Sequence, residues 1–123
     1  MESNFNPRAQ TGSHKGLFQL NNAAWTDSGI GVAFNNANAF NASTNTQAAV
    51  DYLTNILENY VGVSASDISS GNVTTAQLSQ ALTDFRWGPN ASNPSTTYAN
   101  DIMNCANDLG AGNWDKAMSD LGR

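Results

Sequence analysis

Two stretches near the amino terminus decide how this chain folds: residues 2–9 read Glu-Ser-Asn-Phe-Asn-Pro-Arg-Ala, and residues 16–20 read Gly-Leu-Phe-Gln-Leu. In the first stretch a carboxylate is followed by a turn, because proline disfavours the helical conformation in the residue before it. We therefore predict that Glu2 belongs to the last turn of a helix. In the second stretch a glycine precedes apolar residues and an amide, and we predict a short helix over residues 16–25.

Apolar residues recur at helical spacing through much of the remaining chain. The predicted helices lie at 45–60, 75–86 and 94–109. A capping box formed by Thr74 and Gln77 starts the second of them. Gly62 and Gly110 follow the ends of the first and the third, as glycine commonly does at a helix terminus.

The connections complete the predicted fold. Pro94 is placed at the first position of its helix, where proline is favoured. We predict a polar loop over residues 8–15, a loop with one helical turn over residues 29–42, and a final short helix capped by Asn113. The fold class is mainly α, with little or no β structure, in a single domain over residues 1–123.

Composition restricts the classes of partner. The net charge is −5 and the isoelectric point is near 4.3, which argues against nucleic acid. Only 12% of residues are charged, so the polar surface consists mainly of amides and hydroxyls. Such a surface suits a neutral polyol such as a sugar, and it equally suits an ordinary secreted protein.

The charge is unevenly distributed. Residues 1–25 contain one acid, Glu2, and two bases, Arg8 and Lys15, whereas the remaining chain contains nine acids and three bases. An anionic ligand is therefore best tolerated near the amino terminus.

Cysteine and histidine offer little chemistry. The single Cys105 excludes an internal disulfide, and the lone His14 lacks a second histidine or cysteine for a metal site. We predict no metal and no cofactor. No apolar run approaches the about 20 residues that a helix needs to cross a bilayer, so we expect no membrane partner, and no signal peptide is recognisable.

Glu2 is the better of two candidates for acid catalysis. A carboxyl group donates a proton near neutral pH only where poorly solvated surroundings raise its pKa. Glu2 is accompanied by Phe5, Leu17 and Phe18 in the two stretches, whereas Glu58 is predicted on the solvent side of a helix.

The two stretches resemble the signature of the lytic transglycosylase and goose-type lysozyme family, roughly E-S-x-F-N-P-x-A followed by G-L-[MF]-Q. The resemblance implies a lysozyme-like helical domain with a substrate cleft. It implies that Glu2 is the acid and base that cleaves the MurNAc-β-1,4-GlcNAc bond of peptidoglycan. It also implies that Ser3, Phe18 and Gln19 contact the glycan strand.

Two later blocks resemble the same family more loosely. Residues 81–89, Ala-Leu-Thr-Asp-Phe-Arg-Trp-Gly-Pro, are similar to the family's A-L-A-A-Y-N-A-G-P, and Tyr98 is similar to a tyrosine of a later helix. The resemblance implies that Phe85, Arg86, Trp87 and Tyr98 line the far wall of the cleft.

The chain also departs from the family pattern. Phe85 and Arg86 replace a tyrosine and an asparagine. Only Met1 precedes Glu2, so we expect the first helix to be truncated or supplied by another segment, for which residues 114–121 are a candidate. Asp27 and Asp84 are the possible second carboxylates, and we expect both to lie on the surface.

No second carboxylate stands at a matched cleft position, and by the resemblance this favours a lytic transglycosylase over a lysozyme-type hydrolase. The expected protein is a monomer that acts on the cell wall as a secreted, periplasmic or virion-associated enzyme. Two alternatives remain open: a catalytically impaired lysozyme-like module that binds peptidoglycan or a partner, and a structural part of a virion or secretion apparatus.

Overall fold

A computed structural model describes residues 3, 4, 6–89, 91, 92 and 94–110. The chain divides into two compact units, Glu2–Asn55 and Ile56–Arg123, called the amino-terminal and the carboxy-terminal unit below. The described part of each is mainly helical, which confirms the predicted fold class. The helical turn predicted at Glu2 and the helix predicted after Asn113 lie outside the described residues.

A small hairpin occupies the segment that was expected to be a polar loop. It consists of β1 (Gln10–Thr11) and β2 (His14–Lys15), paired antiparallel, and these are the only strands in the described part of the chain. Of the helices that the structure describes, none is both long enough and apolar enough to cross a bilayer.

The segment Gly16–Leu20 forms a turn. Lys15 and Leu20 pair across its base, with backbone N–H to carbonyl distances of 3.0 and 3.1 Å in the two directions. Gly16 has a φ of +83° and Gln19 a φ of +49°, and a right-handed helix cannot accommodate either value. The prediction of a helix over residues 16–25 is therefore wrong for residues 16–21.

Helix α1 (Asn22–Ser28) begins instead at an asparagine cap. The Oδ1 of Asn21 accepts a hydrogen bond of 2.9 Å from the backbone N–H of Ala24, which satisfies one of the free donors at the helix start. Trp25 of this helix is buried, and its indole N–H donates to the Val32 carbonyl at 2.8 Å.

Two further helices follow in the amino-terminal unit. α2 (Asn36–Ala39) is the single helical turn predicted within residues 29–42. α3 (Ala42–Ile56) continues as a π-helix (Leu57–Val61), and Gly62 ends it with a φ of +86°. The prediction for residues 45–60 is confirmed, with a start three residues earlier than expected.

Asn45 of α3 joins three segments of the amino-terminal unit. Its side chain is fully buried. The Nδ2 group donates to the carbonyls of Lys15 at 3.1 Å and Ala39 at 3.0 Å, and Oδ1 accepts from the N–H of Phe18 at 2.9 Å. One side chain therefore fixes the end of β2, the end of α2 and the turn between them.

In the carboxy-terminal unit the π-helix is followed by α4 (Ala65–Ser70), a short helix that was not predicted because it buries no residue. α5 (Thr75–Trp87) has both hydrogen bonds of the predicted capping box, at 2.9 and 3.1 Å. α5 packs against α6 (Thr97–Gly110) and against the π-helix.

The start of α6 differs from the prediction. Helical structure begins at Thr97 and not at Pro94. The hydroxyl of Ser95 accepts a hydrogen bond of 3.2 Å from the N–H of Thr97. This local turn competes with an earlier helix start, as serine side chains commonly do.

Gly16→Ala should destabilise the protein far more than Gly12→Ala. Both glycines have positive φ, +83° and +60°, so alanine at either position meets a backbone strain of about 1–2 kcal/mol. Only at Gly16 would the added methyl group overlap other atoms, those of the Ala39 carbonyl and the Asn45 amide. We expect Gly16→Ala to lower the free energy of unfolding, measured with urea, by about 3–4 kcal/mol. If both variants lowered it equally, the close packing of Gly16 against Ala39 and Asn45 would be wrong.

Candidate functional site

Gln19 is held in place by its own side-chain amide. The side chain is only 8% exposed, and its Nε2 group donates to the carbonyls of Ala9 and Gly16, both at 2.9 Å. Two facing carbonyls identify this atom as the nitrogen, because an oxygen there would be repelled by both. Gln19 therefore ties the turn at Gly16 to the segment that follows Glu2.

The other atom of the same amide has no partner. The Oε1 of Gln19 is buried and accepts no hydrogen bond from any group in the described part of the chain. A buried acceptor left unpaired costs about 1–3 kcal/mol. The site therefore retains a buried acceptor, which solvent does not reach and which only a donor inside the protein can satisfy.

The segment after Glu2 forms the predicted turn. The N–H of Asn6 donates to the Ser3 carbonyl at 3.0 Å, and the N–H of Ala9 donates to the Asn6 carbonyl at 3.1 Å. Ser3 is half-buried. Glu2 and Phe5 lie outside the described residues.

Phe18 presents an aromatic side chain beside the buried Gln19. Its side chain is 36% exposed, while its backbone N–H is held by the Asn45 amide. The turn therefore fixes the backbone firmly and leaves the ring accessible, which suits an aromatic contact to a sugar.

A second aromatic surface lies in the carboxy-terminal unit. Trp87 is 47% exposed, and its indole N–H donates to the Ser95 carbonyl at 3.0 Å. The exposed Arg86 places its guanidinium carbon 4.8 Å from the centre of the Trp87 ring, within the range of a cation–π contact. Phe85 and Tyr98, the other predicted contacts, are half-buried in the same unit.

The burial of Asp84 differs from the prediction. Asp84 was expected on the surface, but its side chain is only 5% exposed in α5. Burial raises the pKa of the Asp84 carboxyl, and the Gln80 amide, which donates to its Oδ1 at 2.9 Å, opposes this in part. The signal in the sequence was its position three residues after the fully buried Ala81. Asp27, the other candidate, is exposed as expected.

Sequence reasoning did not single out Asn45. The available signal was its position four residues before Ala49, on the apolar face of the predicted helix. An amide at such a position has to find hydrogen-bond partners inside the protein. Asn45 finds them in the turn that carries Phe18 and Gln19.

The mainly helical architecture is consistent with a domain of the lysozyme-like class. Residues 1–104 match the family model of the transglycosylase SLT domain, so the chain belongs to this family of the lysozyme-like superfamily. The family comprises peptidoglycan-cleaving lytic transglycosylases that act on the cell wall. The resemblance found in the sequence is thereby confirmed. No curated protein and no solved structure matches the chain significantly.

Gln19→Glu tests the orientation of the buried amide. The introduced carboxylate would face the carbonyls of Ala9 and Gly16 with no N–H to offer, so its folded-state pKa should be raised. A raised folded-state pKa means that stability is lost as the pH rises from about 4 through that pKa. We expect Gln19→Glu to be about 2–4 kcal/mol less stable than wild type near pH 7, with a smaller deficit near pH 4.

Urea unfolding at both pH values measures this effect. Gln10→Glu is the matched control, because Gln10 is exposed and also donates to a carbonyl, that of Gly12 at 3.1 Å. If the two variants showed the same pH dependence, the proposed orientation of the Gln19 amide would be wrong.

Asp84→Asn should stabilise the protein at neutral pH. The folded-state pKa of Asp84 is raised, so the buried charge reduces stability above that pKa and has no effect at pH values well below the unfolded-state pKa. Asparagine removes the charge and keeps an oxygen for the Gln80 amide. We expect a gain of about 1 kcal/mol near pH 7, measured by urea unfolding. Asp27→Asn serves as the exposed control, and a net loss for Asp84→Asn would contradict the burial argument.

Proposed function

We propose that this protein is a lytic transglycosylase that cleaves the MurNAc-β-1,4-GlcNAc bond of peptidoglycan with Glu2 as its only general acid and base. Membership of the transglycosylase SLT domain family supports the reaction class. The protein works as a monomeric lysozyme-like domain on the cell wall.

The observation that carries the proposal is the Gln19 amide. Its nitrogen is committed to two backbone carbonyls and its buried oxygen is left without a partner in the described part of the chain. A buried acceptor of this kind favours a donor inside the protein, such as a protonated carboxyl group. In the sequence, Glu2 lies seven residues before Ala9, whose carbonyl accepts from the Gln19 amide.

The reaction needs one carboxyl group in two roles. The protonated Glu2 donates its proton to the glycosidic oxygen as the C–O bond breaks and positive charge develops on the muramyl ring. The substrate's acetamido group stabilises that charge. The Glu2 carboxylate then takes the proton of the muramyl C6 hydroxyl, whose oxygen bonds to C1 and gives a 1,6-anhydro product. The first proton stays on the hydroxyl of the departing sugar, and the proton of the C6 hydroxyl restores the protonated Glu2.

The remaining contacts bind the glycan. Phe18 and Trp87 offer accessible rings for sugar faces, with Trp87 held at its indole N–H and backed by Arg86. Ser3, Phe85 and Tyr98 contribute further contacts to the strand. Aromatic rings suit this task because sugars present C–H groups on one face and hydroxyls at the edge.

A binding module without turnover is the second candidate. The observation that favours it is the Arg86–Trp87 contact, in which the side chain at the family's asparagine position stacks on a neighbouring ring. Retention on insoluble peptidoglycan, without release of soluble products, would support this candidate over the enzyme.

Glu2→Gln should abolish the release of muropeptides from purified sacculi. Loss of a general acid typically reduces the rate by about 10²–10⁴-fold. Glu58→Gln is the matched control, because Glu58 is the other glutamate of the chain and is exposed on the π-helix. Mass spectrometry of the products should show 1,6-anhydro ends and no reducing muramyl ends. Equal release by wild type and Glu2→Gln would eliminate the proposed mechanism.

A further inference from the structure

A polar groove in the amino-terminal unit is not used by the proposed reaction. Its volume is about 500 Å³, and it is lined by Arg8, Asn36, Ala37, Phe40 and Asn41. Phe40 is half-buried, and the other four residues are exposed. The groove therefore combines one apolar ring with three side chains that can form hydrogen bonds.

The amide oxygens at the groove are already occupied. The Oδ1 of Asn41 accepts from the N–H and the hydroxyl of Thr44, at 3.0 and 3.2 Å. The Oδ1 of Asn36 accepts from the Lys15 ammonium at 2.7 Å. Within the described ranges, the Nδ2 groups of both asparagines and the Arg8 guanidinium have no protein acceptor. These three side chains therefore offer the groove mainly donors, with one remaining lone pair on the Asn36 Oδ1.

The charge at the groove is positive. The Lys15 ammonium that bonds Asn36 also lies 5.5 Å from the centre of the Phe34 ring and 6.0 Å from that of Phe40. Arg8 forms no ion pair in the part of the chain that the structure describes, and no carboxylate lines the groove. Two cations thus lie at one groove in a protein whose net charge is −5.

The donors and the positive charge at the groove favour an anionic ligand. A neutral hydroxyl could accept hydrogen bonds from these donors, but it would gain no attraction from the positive charge. A carboxylate only accepts, and a guanidinium can bind it through two parallel hydrogen bonds. The Phe40 ring adds an apolar surface for a methyl group or a sugar face.

We propose that this groove binds the carboxylate carried by the muramyl side chain of the glycan, either the lactyl carboxylate or one from an attached peptide stem. Arg8 is the principal contact, with Asn36 and Asn41 donating further hydrogen bonds and Lys15 adding positive charge. The inference rests on the proposed function for its choice of ligand. Covalent geometry supports it, because the six residues from Glu2 to Arg8 span at most about 20 Å.

The experiment measures binding to the full-length chain carrying Glu2→Gln, so that no ligand is consumed. Isothermal titration compares a muramyl-tetrapeptide tetrasaccharide, the same tetrasaccharide without peptide, and chitotetraose, which lacks carboxylates. Arg8→Gln should weaken binding of both muramyl ligands about 10-fold, equivalent to about 1.4 kcal/mol, and leave chitotetraose binding unchanged. Arg8→Lys should restore part of the affinity because it keeps the charge but not the paired hydrogen bonds.

The outcomes separate this inference from the proposed function. If Arg8→Gln altered all three ligands equally, or none of them, the groove would not be a carboxylate site, even if wild type still cleaved sacculi. Arg8-dependent binding of inorganic phosphate without such binding of the muramyl ligands would also overturn the assignment. Arg8-dependent muramyl binding by a wild-type protein without cleavage activity would support the groove and refute the enzyme. Thermal denaturation of each variant confirms that it remains folded.

Discussion

The buried amide of Asn45 is the interaction on which the amino-terminal unit depends. Its two donors face carbonyls and its one acceptor faces an N–H, and all three bonds are between 2.9 and 3.1 Å. Each bond contributes only about 1 kcal/mol net, but each group left unpaired in this fully buried position would cost about 1–3 kcal/mol. Aspartate lacks the donors and leucine lacks all three groups. The surroundings of residue 45 therefore require an asparagine.

Gln19 extends the same principle toward the proposed site. The Ala9 carbonyl accepts from the N–H of Gly16 at 2.8 Å and from the Gln19 amide at 2.9 Å. The Asn45 amide holds the turn from the side of α3, and the Gln19 amide holds it from the side of the segment after Glu2. Gly16 lies between them with no room for a Cβ atom. A turn supported from both sides has little freedom to move, and the proposed positioning of a bound sugar needs such a rigid turn.

The sequence predicted the features that depend on neighbouring residues. The capping box at Thr74, the helix stop at Gly62 and the long α3 each arise from interactions within a few residues, and each is present. The turn at Gly16 was predicted as a helix because its cause is distant: it is held by Asn45, which lies 27 residues from Phe18. The burial of Asp84 was missed although its spacing from Ala81 favours the buried side of α5, because a carboxylate is ordinarily expected at the surface. The candidate site was found through its motif rather than from physical chemistry, and the orientation of the Gln19 amide required coordinates.

The use of amides explains why so few charges suffice for this fold. Asparagine side chains cap α1, α2 and α3 through Asn21, Asn35 and Asn41, tasks that other proteins often give to aspartate. Neutral caps need no counter-charge. In the described part of the chain, neither Arg8 nor Arg86 forms an ion pair. A cation without an internal partner keeps its full attraction for an external anion, whereas one already paired would first have to lose its partner. The neutral scaffold therefore leaves the Arg8 guanidinium of the amino-terminal unit available for ligand recognition.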